Sequence, residues 1–321
     1  MSVGTDASGA NAGGSLETSF DADRPFLWGL SYRMTGSAAD ADDIVQETFV
    51  RALERPPVDA TLAWRPWLTK VAMNLCRDSL RQRRRRSYVG PWLPAPIETG
   101  EEAVPAYEPL FAGGQSTEGR YDLLESVSMA FLLALEAMTP QQRGVLLLRD
   151  VFDYSVRETA EALGITESTV KTTHHRARQA MAAYDRRRCR PTADHQQKVR
   201  EALQRLSAAV LSNDTEAIER ALSPSVVALS DGAGEFFAAK VAIVGRTRVA
   251  RFYRNIFQRR AIASSFRPGM INGFPGIIGE FFDGRRGEPP RVVNCFEIDD
   301  EGLVVRLYSV LATRKLSAIH F

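Results

Sequence analysis

Residues 155–184 read SVRETAEALGITESTVKTTHHRARQAMAAY, and this stretch decides the architecture. Ser155 followed by Glu158 is a capping box, so a helix starts at Val156. Val156, Ala160 and Leu163 recur at helical spacing and face inward. Gly164-Ile165-Thr166 forms a tight turn. Thr166, with Thr169 in place of an acid three residues on, caps a longer helix to about Tyr184, burying Val170, Ala177 and Met181. Short helix, glycine turn and second helix make a helix-turn-helix. Its free face leaves Glu167, Ser168, Thr169, Lys171, Thr172, His174, His175, Arg176 and Arg178 as candidates to meet DNA. N-terminal residues of such a helix reach base edges, which singles out Ser168, Thr169, Lys171 and Thr172; Arg176 and Arg178 suit the phosphate backbone. His174 and His175 point about 100° apart on a helix and do not chelate one ion.

Upstream, 25–86 is also helical. Phe26, Leu27, Leu30 and Met34 mark one helix, and Thr35-Gly36-Ser37 breaks it. A second begins at Asp40 with Ile44, Val45, Phe49 and Leu53 on one face, and ends at Pro56-Pro57. Asp40, Asp42 and Asp43 crowd its first turn, where the helix dipole favours anions. A third runs from about Leu62 to Arg84, with Trp64 and Trp67 near its start and Arg77, Arg81 and Arg83–Arg86 near its end. Trp67 is read as core or near-core. Aromatics beside a basic helix suit unpaired bases. Residues 123–138 and 140–150 add two helices, the second capped by Thr139-Pro140.

The 321 residues carry a net charge of only +2, but the charge is segregated: +4 over 25–90, −6 over 91–125 and +3 over 126–190. Two basic helical blocks thus flank an acidic, proline-rich strip. Five of the 41 basic residues are Lys; the rest are Arg, the better fork for phosphates. Cys76, Cys189 and Cys295 lie far apart, in no disulfide framework or zinc spacing. That cysteine usage makes a reducing cytoplasm the expectation; no apolar run reaches membrane-spanning length and no secretory signal is evident. Residues 1–20, rich in Gly, Ala, Ser and Thr, read as a flexible tail. After 190 the pattern changes to two helices, a set of short strands (226–230, 236–239, 266–271, 276–282, 292–298 and 303–311) and one helix over 246–257. Helices followed by an antiparallel sheet read as α+β.

Two helical blocks in this order resemble the extracytoplasmic-function sigma factors of bacterial RNA polymerase. The resemblance rests on Asp42-Asp43-Ile44-Val45-Gln46-Glu47-Thr48-Phe49, on Trp67-Leu68 through Asn74-Leu75-Cys76-Arg77-Asp78-Ser79-Leu80-Arg81, and on Met138-Thr139-Pro140-Gln141-Gln142-Arg143 leading into the helix-turn-helix. It implies that Asp42, Asp43, Gln46 and Glu47 bind the β′ clamp helices of core RNA polymerase. It implies that Trp67, Asn74, Arg77, Arg81, Arg84 and Arg85 lie in the part that melts and reads the minus-10 promoter element. The helix-turn-helix would read the minus-35 element on the β flap. The implied domains are a tail (1–20), sigma domain 2 (21–88), a linker (89–122), sigma domain 4 (123–188) and a C-terminal domain (195–321).

That last part resembles the SnoaL-like domain, a nuclear-transport-factor-2-like fold, through Ser230-Asp231-Gly232-Ala233-Gly234, Val244-Gly245-Arg246 and Ile271-Asn272-Gly273-Phe274-Pro275-Gly276. The fold class is therefore multidomain: two all-α sigma domains, the second with a helix-turn-helix, then an α+β SnoaL-like domain. Sigma factors carrying this extension also carry a Trp-Leu-Pro linker motif, here Trp92-Leu93-Pro94. With Asp231, Gly232 and Gly234 these residues form the implied interdomain, regulatory set. Two departures alter its charge. The family's Asp-Gly-Gly-Gly-Lys loop ends in Glu235, and its Asn-Pro-Asp-Lys-Leu aligns with Ala312-Thr313-Arg314-Lys315-Leu316.

The resemblance implies a promoter-specificity factor that performs no catalysis, needs no cofactor or metal and is regulated in cis without an obligatory anti-sigma factor. His320 is the only histidine in 196–321, and Asp231 and Asp283 beside glycines read as turn acids, a poor set for acid–base chemistry. The C-terminal pocket could take a small ligand, with Phe236, Phe237, Phe252, Tyr253, Phe274, Phe281 and Phe282 either lining it or filling a core. The alternative is a helix-turn-helix regulator whose C-terminal domain senses a ligand.

Overall fold

The computed structural model describes residues 16–56, 64–85, 87–99, 120–260, 264–282 and 286–321. Arg86 and Asp283, both named above, lie outside them. The first block is α1 (Leu16–Thr35), α2 (Ala38–Glu54) and α3 (Trp64–Arg85). Helix α1 begins earlier than the composition of 1–20 suggests and runs through Pro25. Tertiary packing outweighs the weak local signal there, since the Phe20 ring sits 4.1 Å from that of Phe49. Helix α2 starts at Ala38 because the Ser37 side chain accepts from Asp40 N at 3.2 Å.

The second block opens with a 3-10 turn (Glu125–Val127) and continues with α4 (Met129–Leu135), α5 (Pro140–Asp150), α6 (Val156–Leu163) and α7 (Glu167–Asp185). The single helix expected over 123–138 is divided because Ser128, in an extended conformation, caps α4 by accepting from Phe131 N. Thr139 and Ser155 both form complete capping boxes, and Gly164 takes the left-handed conformation at φ 63°.

The two blocks do not stand apart; they share one hydrophobic core. Arg143 of α5 is 2% exposed and donates to Met34 O at 2.6 Å and Leu135 O at 2.9 Å, so it closes the end of α1. Arg33 answers from α1, donating to Ser126 Oγ at 2.7 Å and Leu123 O at 2.8 Å. Gly144 permits the approach: a Cβ there would lie 2.6 Å from Met73 Cε of α3.

The C-terminal unit holds α8 (Ala193–Leu211), α9 (Thr215–Ala221), β1 (Leu222–Asp231), β2 (Ile243–Val244), α10 (Arg246–Arg260), β3 (Ser264–Ile271), β4 (Phe274–Phe281), β5 (Arg291–Ile298) and β6 (Val304–Val310). The sheet order is β2-β1-β6-β5-β4-β3, with β1 and β6 parallel and the other pairs antiparallel. Residues 236–239 form no strand. Positive φ at Ala233 and Gly234 turns the chain back after β1, and Phe237 N donates to Gly287 O at 2.7 Å instead of to a neighbouring strand.

Alternation along the strands gives the sheet two apolar faces. Val226, Ala228, Phe296 and Leu307 face the helices. Ile278, Val293, Cys295, Tyr308 and Val310 face the rest of the chain, packing with Leu93 and Met129.

Candidate functional site

The free face of α7 presents Glu167, Ser168, Lys171, Thr172, His175 and Arg176 to solvent. Thr169 is half-buried, with its hydroxyl 2.8 Å from Thr166 Oγ1, so it reinforces the cap. His174, half-buried, and Arg178, exposed, are both engaged by one buried carboxylate. Arg178 makes a fork to the Asp150 carboxylate at 3.0 and 2.6 Å, and His174 Nε2 lies 2.9 Å from the same group. Burial alone would raise the Asp150 carboxyl; the hydrogen bonds from His174 and Arg178 outweigh it and hold the group below its ordinary 3.8. These two side chains fix the pitch of α7 against α5, a constraint that helix periodicity does not reveal.

On α3, Asn74, Arg81, Arg84 and Arg85 are exposed, whereas Trp67 and Arg77 are half-buried. The Trp67 ring meets the buried Trp64 edge-on at 6.2 Å. The basic end of this helix is tied to the second block: Arg83 pairs with Glu136 at 2.6 Å and Arg84 donates to Met138 O at 3.2 Å. On α2, Asp42, Asp43 and Gln46 are exposed and Glu47 pairs with Arg51 at 2.8 Å. Asp42 accepts from Trp28 Nε1 at 2.7 Å; partial loss of water raises its carboxyl above the ordinary value, opposed by that bond.

Arg314 reaches from the C-terminal unit to α2, where it lies 2.9 Å from Asp43 and 3.1 Å from Asp40. The residue that replaces the family's acid therefore sits on the acids of α2. The other departure is also accounted for: Glu235 accepts from Thr313 N at 3.0 Å and from its hydroxyl at 2.5 Å, closing the loop onto the same segment.

The linker segment 87–99 threads between the sheet and both helical blocks. Asp231 is fully buried and is more than a turn acid, although Ala233 N does donate to it at 3.0 Å. It also accepts from Tyr88 Oη at 2.5 Å, Leu93 N at 2.7 Å and Lys315 Nζ at 2.6 Å. Lys315 donates a further bond to Leu93 O. Trp92 lies between two cations, 4.0 Å from Arg83 and 4.3 Å from Lys315 Nζ, while Leu93 and Pro94 are buried. Gly36 has φ +67°, and a Cβ there would lie 2.5 Å from Trp92 Cη2. Gly232 meets Phe236 O in the same way at 2.9 Å, and Gly234 abuts Val89.

Sequence reasoning missed Asn272. Its Nδ2 donates to Tyr32 Oη and to Val127 O, both at 2.7 Å, and its Oδ1 accepts from Ile97 N at 3.1 Å. One buried amide thus joins α1, the second block and the linker. Asn272-Gly273 reads as a hairpin turn, which it is, with φ 53° and 82°; nothing local marks its side chain as a hub. Of the aromatics expected at a pocket, Phe237, Phe252, Tyr253 and Phe281 line one. Phe236 packs beside Phe281 in a separate cluster, Phe274 meets His195 and Phe282 is exposed. Among the described residues no group of three or more His, Cys, Asp or Glu is placed to hold a metal, and no helix is long and apolar enough to cross a membrane.

Residues 20–86 match the sigma-70 region 2 family and 128–181 the sigma-70 region 4 family. The chain is 32% identical over 285 residues to the ECF RNA polymerase sigma factor SigJ of Mycobacterium tuberculosis, covering 85% of each. It is 38% identical over 156 residues to SigG of the same organism, covering 46% of this chain and 42% of SigG. The crystal structure of SigJ superposes with a TM-score of 0.69 at 28% identity, covering 94% of this chain and 98% of SigJ.

Proposed function

The chain belongs to the extracytoplasmic-function family of RNA polymerase sigma factors, and from that premise we propose that the arrangement described above is its closed, resting form. The protein binds core RNA polymerase and directs promoter-specific transcription initiation. In that role Ser168, Lys171 and Thr172 are the base readers of the minus-35 element, with Arg176 on the backbone. Asn74, Arg77, Arg81 and Arg85 meet the minus-10 element, and Asp42, Asp43, Gln46 and Glu47 meet the polymerase clamp. His174 and Arg178 position the reading helix.

The observation that carries the closed form is the shared core, pinned by Arg143 on Met34 O. Modules that touch two separated promoter elements at once have to part. In the closed form α3 is tied to Glu136 and Met138, and Asp43 is occupied by Arg314. The C-terminal unit holds this state through Asp231, Lys315, Trp92 and Asn272, in cis and without an obligatory anti-sigma factor. The alternative, a free-standing regulator, gives the acids of α2 no polymerase to meet and is not favoured by the match to sigma-70 region 2.

Transcription with reconstituted polymerase tests the reading. The full-length protein should support initiation at a selected promoter, and Asp42→Arg/Asp43→Arg should lose both polymerase capture and transcription. Capture unaffected by that double substitution would remove the assigned clamp contact.

A further inference from the structure

Between α8, α9, α10 and the inner face of the sheet lies a cavity of about 630 Å³, of the size that takes a small organic molecule. Its walls are apolar: Leu206, Val249, Phe252, Ile277, Phe296 and Leu307 all line it. Phe237 and Leu211, 75% and 66% exposed, stand at its opening to solvent. The opposite face of the sheet is occupied by Leu93 and Met129, so the cavity is not part of the docking surface.

One polar row crosses this apolar space. Strand register sets Ser230 beside Ser309 and Ser309 beside Asn294, all on the inner face. Ser309 Oγ donates its only proton to Asn294 Oδ1 at 2.6 Å. Tyr253 Oη, 3.0 Å from Ser309 Oγ, is therefore the donor in that pair. Burial pushes the Tyr253 phenol up to about 12, which keeps it protonated. The chain of donors fixes the Asn294 amide with its oxygen used and its nitrogen turned to the cavity. Among the described residues nothing accepts from Asn294 Nδ2. The charged side chains of the lining are Arg259, which is exposed, and Glu288. Away from those two groups, a ligand charge buried against the apolar walls would lose its hydration with little return.

We propose that this cavity binds an uncharged, largely apolar small molecule through a carbonyl or ether oxygen that accepts from Asn294 Nδ2. Binding there is independent of how the helical modules meet DNA. Ser230 lines the cavity and its neighbour Asp231 holds the docking contacts on the other face, so the two sites lie back to back on β1.

The full-length protein is titrated with 6-propionyl-2-(dimethylamino)naphthalene, an uncharged naphthalene ketone whose emission shifts to the blue out of water. Saturable one-site binding is expected. The analogue with a propyl group in place of the propionyl should bind about two- to tenfold more weakly, the range set by one neutral hydrogen bond. Asn294→Leu should weaken the ketone by the same factor and leave the propyl analogue unchanged. Val210→Trp, which puts an indole in the cavity, should abolish both. Should either variant fail to fold, nuclear Overhauser contacts from bound ketone to the Ile277 and Leu307 methyls of the wild-type protein decide instead. No saturable binding, equal affinity for ketone and propyl analogue, binding that survives in folded Val210→Trp, or absence of those methyl contacts overturns the proposal.

Discussion

Lys315 Nζ stands 2.6 Å from Asp231 Oδ2 with both side chains withdrawn from water, 84 residues apart in the chain. Burial pushes the Lys315 ammonium down to about 8 from 10.5, against the pull of Asp231. The pair closes the linker onto the sheet, because Asp231 also accepts from Leu93 N.

Removing one partner leaves the other charge buried. Lys315→Met should weaken docking of the linker by about 3 kcal/mol, read as faster hydrogen exchange of the Leu93 amide. The pH dependence has a definite sign. The native lysine releases its proton at about 8 and the unfolded one at 10.5, so the cost of burying the charge is complete below pH 8. It is relieved between pH 8 and 10.5, and wild-type stability should rise across that window relative to Lys315→Met. A flat difference would show that the lysine does not titrate there.

Trp92 and Gly36 act as one contact. Trp92→Ala should cost about 1–3 kcal/mol of docking, as aromatic anchors of an interface do. Gly36→Ala should cost a similar amount, since its Cβ would collide with the indole at 2.5 Å. The double substitution should cost less than the sum, because the collision disappears with the ring. Limited proteolysis across 87–99 measures all three; strict additivity would separate the two residues.

Arg314 is 65% exposed, so its bridges to Asp40 and Asp43 contribute little to stability. Their consequence lies in binding. Arg314→Ala should raise affinity for core polymerase by up to about fivefold, the equivalent of one surface ion pair. Lower affinity in the variant would mean that Arg314 itself touches the polymerase.

Asp150 governs the helix-turn-helix through His174 and Arg178. Asp150→Ala should destabilise the second helical block by about 2 kcal/mol, the scale of hydrogen bonds to a charged group. Its native carboxyl is held below 3.8, so its contribution is fully present above that pH and is lost as the pH falls through the lower native value. Acid melting curves of wild type and variant should converge at low pH.

Lys171 should behave as a base-edge contact. Lys171→Ala should weaken binding to a selected minus-35 duplex, and the measured salt slope should fall by about one if the partner is a phosphate. An unchanged slope with relaxed sequence preference would assign it to a base.

The fold of the helix-turn-helix was legible because its signals are local, whereas the engagement of His174 and Arg178 by Asp150 was not. Ser155, Glu158, Gly164 and Thr166 act on backbone groups within three or four residues of themselves, and Val170, Ala177 and Met181 repeat at the helical period. The acids of α2 and the basic end of α3 were legible for the same reason. The break at Ser128 and the course of 236–239 away from the sheet were not, since each is selected by what packs around it.

Sequence alone therefore determined the order of the modules, the faces they expose and the charge that each carries, all properties of residues close together in the chain. Only the tertiary structure decided that the modules share a core, that Arg143 and Asn272 bind across it, and that Asp231 meets Lys315. Those pairings join groups 84 to 240 residues apart. A buried polar group takes whichever partner the fold brings within hydrogen-bond reach, and no local pattern encodes which one arrives.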